Sequence, residues 1–192
     1  MMRSRLLWFL LMLLPIHSAC LQAEPLDKVT FLGLDLFEAD KASVRQHLND
    51  LGGFRQERAT FSHPNMDKFF PVSQLKDSYY IVFRYDANGQ IISVKRLYRR
   101  NGLHLVNQYR DIGTQDIARL MLTELGQPQQ TQRKGREGGL SYPSYTWQND
   151  QLTIRLDHRG SDPLQPIFIE YILARDPFVK KDEETPHLAN RR

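Results

Sequence analysis

Two extended-type runs joined by a tight-turn signal constrain the fold of this sequence more than any other feature. Residues 79–85 and 91–98 are rich in β-branched and aromatic side chains, and Asp86-Ala87-Asn88-Gly89 separates them. Such side chains favour extended backbone, and an Asn-Gly pair favours the positive φ that tight hairpin turns need. The pattern predicts a β-hairpin over residues 79–98.

A helix is predicted upstream of this hairpin. Val44, Leu48 and Leu51 recur at the spacing of one helical face. Asp40 is a predicted N-cap and Gly52 a predicted C-terminal stop. A short strand over residues 29–34 precedes the helix, and residues 66–71 are expected to form a loop.

The same order of elements occurs again in the second half of the chain. Thr114 is expected to cap a helix that ends at Gly126. The apolar face of this helix is predicted to carry Ile117, Met121 and Leu125. A loop is expected over residues 129–139. Strands are predicted over residues 145–148, 152–156 and 167–173, the first two joined by an Asn-Asp turn.

Helices followed by runs of strands indicate an α+β fold. We predict two tandem units, each with one helix packed on a small antiparallel β-sheet that contains a hairpin. The first unit is expected to span residues 24–103 and the second residues 104–175. Residues 1–23 are predicted to be a signal peptide and residues 176–192 a disordered polar tail.

Three short motifs in the second half resemble outer-membrane assembly lipoproteins of the SmpA/OmlA type. They are GTQDI at 113–117, LGQP at 125–128 and YTW at 145–147. The tandem arrangement is also similar to β-lactamase-inhibitor-protein-like helix-on-sheet units. This resemblance implies a binding or scaffolding module of the cell envelope that has no catalytic activity.

The N-terminus is typical of a bacterial secretory signal. Arg3 and Arg5 precede an uncharged apolar run over residues 6–14, which Pro15 ends. This run is far shorter than the roughly 20 residues that a membrane-spanning helix needs. We therefore expect a periplasmic protein whose only membrane contact would be an N-terminal lipid.

Cys20 is the only cysteine, and two fates are open to it. Cleavage after Ala23 would remove it with the signal. Alternatively, Ser18 and Ala19 supply the small residues of a lipoprotein processing site, in which case Cys20 is lipidated and anchors the chain to the outer membrane. An unpaired thiol is a liability in an oxidising compartment, which excludes a free Cys20 but neither of these fates.

Charge and motif content limit the kinds of partner and chemistry. The net charge of +4 falls by two when Arg3 and Arg5 leave with the signal, so the sequence does not predict nucleic-acid binding. His63 and Asp67 lack the second ligand cluster of a metal site. The segment 157–162 contains Asp, His and Ser but no GxSxG turn. We predict no catalytic residue, no cofactor and no metal.

Two groups of residues are candidate partner contacts. The cations Lys95, Arg96, Arg99 and Arg100 crowd one strand end and could bind an anionic envelope component or an acidic protein surface. Alternatively, they protect the edge of the sheet from strand addition. Phe69 and Phe70 either fill the core or anchor a partner.

The sequence as a whole predicts an exported cell-envelope protein that binds or scaffolds one or more envelope proteins without catalysing a reaction. Two alternatives stay open. The first is a periplasmic inhibitor of an enzyme, and the second, less favoured, is a periplasmic hydrolase that uses His63 or His158.

Overall fold

The computed structural model describes residues 26–99, 104–105, 108–109, 112–135 and 139–177. The predicted signal peptide, Cys20 and Arg100 lie outside the described residues. Asp176, the first residue of the predicted tail, is buried and pairs with Arg84 at 3.7 Å. Residues 178–192 lie outside the described residues.

The described residues form two α-helices, three single-turn 3₁₀ helices and twelve β-strands. The helices are α1 (Lys41–Leu51) and α2 (Thr114–Leu125), and the 3₁₀ turns cover Leu26–Lys28, Arg58–Thr60 and Arg159–Ser161. The strands are β1 (Thr30–Phe31), β2 (Leu34–Asp35), β3 (Phe54–Gln56), β4 (Met66–Pro71), β5 (Ser78–Tyr85), β6 (Ile91–Tyr98), β7 (His104–Leu105), β8 (Gln108–Tyr109), β9 (Gln130–Gly135), β10 (Ser141–Gln148), β11 (Leu152–His158) and β12 (Ile167–Leu173).

Eight of the strands form one antiparallel sheet in the order β3-β4-β5-β6-β12-β11-β10-β9. The pairs β1-β2 and β7-β8 form separate two-stranded ribbons. The predicted α+β class is confirmed. The prediction of small sheets is wrong, because β6 and β12 pair at the centre and join all eight strands. The predicted loops at 66–71 and 129–139 contain strands β4 and β9.

The predicted hairpin at residues 79–98 is confirmed as the β5-β6 pair. Gly89 has φ of +82°, the left-handed conformation that favours glycine. The Asp86 carboxylate accepts hydrogen bonds from the backbone N–H groups of Asn88 and Gln90 at 2.8 and 2.9 Å. The sequence signal and the turn geometry therefore agree.

Helix α1 begins and ends where the sequence predicts. Asp40 accepts a hydrogen bond from the Ser43 backbone N–H at 2.8 Å, and the Ser43 hydroxyl accepts one from the Asp40 backbone N–H at 2.8 Å. Gly52 ends the helix with φ of +67°. Val44 and Leu48 are buried as predicted. Leu51, at the end of the same helical face, is 44% exposed.

Helix α2 buries its predicted apolar face but is capped differently. Gly113, not Thr114, occupies the N-cap position, and its N–H donates to the Asp116 carboxylate at 2.9 Å. The Thr114 hydroxyl instead donates to the Pro143 carbonyl at 2.6 Å, which ties the helix to β10. At the other end, Trp147 Nε1 donates to the Gly126 carbonyl at 2.9 Å.

Both helices contribute to one hydrophobic core on a single face of the sheet, which we call the helix face. Buried side chains of α1 and α2 belong to the same core cluster as the strand residues. Register aligns one row of this face across five strands: Phe83, Val94, Tyr171, Ile154 and Trp147. The opposite face, which carries neither helix, is called the open face below.

Within the described part of the chain, no helix combines the length and the apolar character that crossing a membrane requires.

Candidate functional site

A single row of side chains crosses seven strands on the open face. Strand register places these residues in line: Lys68, Val82, Lys95, Glu170, Arg155, Thr146 and Gln130. Because side chains alternate between the two faces of a strand, the row is separated from the helix-face core. It combines three cations with one carboxylate, so the centre of the open face is basic.

The centre of this row is a cation–aromatic cluster around Phe168. Lys95 Nζ lies 3.8 Å from the centroid of the Phe168 ring, and the Arg155 guanidinium lies 5.2 Å from it. The same two cations pair with Glu170 at 3.5 and 2.9 Å. The carboxylate and the ring hold both cations in place, and part of each cation stays accessible to solvent.

A second cation–aromatic cluster lies toward the β3 edge of the open face. Lys68 Nζ is 4.9 Å from the Phe70 ring centroid and 4.8 Å from that of Tyr80. Arg55 lies 5.8 Å from the Phe70 ring, and Lys68 also pairs with Glu57 at 3.3 Å. Cations stacked on rings offer charge and flat apolar area together, a combination that is enriched in the contacts of protein interfaces.

Of the predicted contact residues that the structure describes, Lys95 and Phe70 take part in the clusters of the open face. Lys95 belongs to the central cluster and Phe70 to the second one. Phe69 points to the helix face, where it is buried at 4% exposure and contacts Phe83 edge-to-face at 6.0 Å. Of the two alternatives for the phenylalanine pair, burial in the core is the correct one for Phe69. The segment that contains both is strand β4 and not a loop.

Two of the other predicted cations, Arg96 and Arg99, are engaged within the chain. Arg96 lies on the helix face, where it donates to Asp77 Oδ1 at 2.6 Å and Ser78 Oγ at 2.7 Å. Arg99 Nε donates to the Ser78 carbonyl at 2.8 Å. Arg100 lies outside the described residues. The edge-protection hypothesis is wrong, because β6 lies at the centre of the sheet between β5 and β12.

A buried acidic network at Asp67 was not predicted. The Asp67 side chain is fully buried and accepts two hydrogen bonds from Arg45, at 2.8 Å from Nε and 2.7 Å from Nη2. Gln56 Nε2 donates to it at 2.7 Å and the Tyr85 hydroxyl at 3.2 Å. Burial and the neighbouring carboxylate raise the pKa of Tyr85. With its oxygens filled by protein donors, Asp67 holds α1 to β3, β4 and β5, and we interpret it as structural.

The segment 157–162 does not form a hydrolytic triad. Asp157 accepts hydrogen bonds from Lys134 Nζ at 2.5 Å and the Tyr142 hydroxyl at 2.6 Å, and neither donor is a histidine ring. The His158 ring nitrogen Nδ1 forms a hydrogen bond with the Gln165 carbonyl oxygen at 2.6 Å. Ser161 is exposed in the turn after β11.

These hydrogen bonds determine the charge state of Asp157. Burial opposes its ionisation, but the bonds from Lys134 and Tyr142 outweigh that effect and hold the pKa of Asp157 below its ordinary value. Burial and the bond to Asp157 raise the pKa of Tyr142. Lys134 is on β9 and Asp157 is on β11, so the ion pair crosses β10 and fastens the outer strand to the sheet.

His63, the other predicted candidate for chemistry, is exposed in the segment before β4. Its carbonyl accepts a hydrogen bond from Lys41 Nζ at 2.5 Å, and its ring nitrogen Nδ1 accepts one from the Asn65 N–H at 3.3 Å. Among the described residues, no group of three or more His, Cys, Asp or Glu side chains is arranged to hold a metal ion.

Comparison of the chain with models of known families, with curated proteins and with solved structures finds no match. The resemblance to SmpA/OmlA-type lipoproteins therefore stays a prediction that rests on the three sequence motifs.

Proposed function

We propose that this chain is an exported cell-envelope protein that binds or scaffolds another envelope protein through the open face of its sheet. One observation carries the proposal. The row from Lys68 to Gln130 presents partly exposed cations on the face that has no helix, and Lys68 is stacked on the partly exposed rings of Phe70 and Tyr80. Such a surface suits a partner with acidic and flat apolar groups.

The proposed contact residues follow from this surface. Lys95 and Phe70 are retained from the sequence-based candidates, and Lys68, Tyr80 and Arg155 join them. Each exposed cation contributes only about 0.2–1 kcal/mol to a contact. The set as a whole, spread over both clusters, is therefore what would determine affinity.

We also propose that the chain is built from two related units. The element order supports this, because α1 is followed by β3, β4, β5 and β6, and α2 by β9, β10, β11 and β12. The last strands of the two units, β6 and β12, are neighbours in the sheet. In this proposal the duplication enlarges the open face, because each unit contributes four strands to it.

Site-specific photocrosslinking tests the proposal. A photoreactive phenylalanine analogue replaces Tyr80 on the open face, and a matched variant carries it at Phe61, an exposed aromatic residue outside the sheet. We expect the Tyr80 variant in intact cells to capture a distinct envelope protein and the Phe61 variant to capture none. Capture at both sites alike, or at Phe61 alone, would contradict the proposal.

Charge reversal provides the second arm. The pair Lys68→Glu and Lys95→Glu should reduce capture at Tyr80, whereas the exposed Arg58, reversed to Glu, should not. Unchanged far-ultraviolet circular dichroism would show that the fold is retained. If the captured protein is an enzyme that loses activity on binding, the protein is its inhibitor. If capture survives both open-face reversals, the open face is not the contact surface.

A further inference from the structure

The outer strand of the second half has one long edge with which no other described strand pairs. Among the described strands, β9 pairs with β10 alone and is the last strand of the sheet on that side. Gln130, Thr131, Gln132 and Arg133 are all exposed. An extended edge strand presents backbone N–H and C=O groups that can pair with another extended segment. The opposite edge strand, β3, has only three residues.

A groove with an aromatic floor runs beside this edge on the helix face. Ala118 and Leu122 of α2 form one wall and Thr131 of β9 the other, enclosing about 290 Å³. The partly exposed ring of Tyr145 forms the accessible floor, and the fully buried ring of Trp147 lies beside it, with the two centroids 6.1 Å apart. Helix α2 packs on β10 and β11, so β9 forms the outer margin of the groove, and a peptide added as a strand along β9 would have alternate side chains on the groove side of the sheet.

The rim of the groove is basic. Arg119 lines it from α2, where it pairs at 3.6 Å with Asp116 on the surface and is 71% exposed. Arg133 follows Thr131 by two positions and so belongs to the same face of β9; its Nε donates to Ser141 Oγ at 2.9 Å. None of the described residues that line the groove is acidic. The charge therefore favours a ligand that carries carboxylates beside its apolar anchor.

We propose that β9 and this groove bind an extended peptide segment of a partner protein, with an apolar side chain in the groove and acidic residues beside it. The segment adds to the sheet as a ninth strand. This site is distinct from the open face, because the groove lies on the helix face at one end of the sheet.

Peptide selection on the full-length chain tests this proposal. Random twelve-residue peptides displayed on phage are selected against the immobilised protein, and enriched peptides are synthesised with a fluorescent label for anisotropy titrations. We expect enrichment of segments that alternate apolar and other residues and contain Asp or Glu. Reversing both Arg119 and Arg133 to Glu should weaken binding roughly 10- to 30-fold. The two exposed attractive contacts with acidic residues of the peptide are lost, and two repulsive contacts replace them.

Matched controls separate this groove from other surfaces. The exposed Arg58, reversed to Glu, should leave the affinity unchanged. So should Lys95→Glu, which affects the open face, so this proposal and the proposed function can fail independently. Leu122→Glu should weaken binding because it places a charge in the apolar wall. If no peptide is enriched, or if the enriched peptides are insensitive to Arg119, Arg133 and Leu122, the proposal is refuted.

Backbone pairing has a signature of its own. A strand points successive N–H groups to opposite sides. N-methylation of the peptide positions whose N–H groups face β9 should therefore abolish binding, whereas N-methylation of the alternate positions should leave it unchanged. Equal tolerance of both sets of methylations would overturn strand addition. Concentration-dependent dimers that Arg133→Glu dissolves would assign the edge to a second copy of this chain. Peptide binding that appears only after truncation at residue 177 would assign the edge to the chain's own C-terminal segment. Either result would refute the proposal.

Discussion

Removal of the Arg45 guanidinium should destabilise the protein more than neutralisation of Asp67, because the two partners are buried to different extents. The Asp67 side chain is completely buried, whereas 34% of the Arg45 side chain is exposed. In Arg45→Met, the carboxylate stays in the interior with only Gln56 and Tyr85 as side-chain donors. In Asp67→Asn, the guanidinium still donates to main-chain carbonyls and reaches water.

The magnitudes follow from this asymmetry. Arg45→Met should lower the free energy of unfolding by about 3–5 kcal/mol, the usual cost of leaving one buried charge without its partner. Asp67→Asn keeps the shape of the side chain and one accepting oxygen, but it turns its NH2 group toward an Arg45 donor, at a cost of about 2–3 kcal/mol. Adding Arg45→Met to Asp67→Asn should then cost about 1 kcal/mol or less, because no buried charge remains.

Urea unfolding followed by tryptophan fluorescence measures all four proteins, since Trp147 is fully buried in the core. The coupling energy between the two sites is the difference between the costs of Arg45→Met in the two backgrounds. Equal costs in both backgrounds would refute the argument that the Asp67 charge is held by Arg45. A cost below about 1 kcal/mol for Arg45→Met alone would refute it as well.

Four further outcomes are expected. Trp147→Ala should cost about 3–5 kcal/mol in urea unfolding, because its ring is fully buried and its Nε1 bonds the end of α2; a midpoint equal to that of the wild type would exclude this packing. Gly89→Val should cost about 1 kcal/mol or more, since a β-branched residue is strained at φ of +82°, and the same titration measures it. Because the pKa of Asp157 is lowered on folding, its contribution is present above the ordinary value of 3.8 and lost as pH falls; Asp157→Asn should therefore flatten the decline of stability in acid, and an unchanged acid slope would contradict this. Intact-mass measurement should find a chain that starts after Ala23 or at an acylated Cys20, and a mass that includes Met1 would exclude export.

Local sequence signals predicted the elements that local chemistry determines. The hairpin at Gly89 and both ends of α1 could be predicted because turn and capping geometry depends on a few neighbouring residues. Strand β9 could not, because its Gln, Arg and Lys side chains have no apolar alternation, and pairing with β10 is what makes it a strand. Strand β4 was missed because it alternates Asp67 with Phe69 on the buried face, so a buried charge obscured the hydrophobic pattern.

The candidate site was only partly predictable for a related reason. Alternation correctly separates Lys95 from Arg96, since it depends only on the two-residue period of a strand. Two features depend on the pairing of β6 with β12 and of β12 with β11. They are the choice of the face that carries the helices and the position of Phe168 and Arg155 beside Lys95. Sequence periodicity does not encode which distant strands pair. The Asp67 network was missed because its donors come from three separate elements.

The central pairing of β6 with β12 determines when the sheet can be completed during folding. Lys95 and its partner Glu170 are 75 positions apart in the chain. During synthesis the N-terminal half of the chain is made first, so the β5-β6 hairpin can form early. The other side of β6 then stays unpaired until β12, the last described strand, has been synthesised. During that interval β6 is an exposed, apolar strand edge of the kind that pairs with other chains. Chains that stop short of residue 167 would keep that edge permanently, and they should aggregate rather than fold as a stable first half.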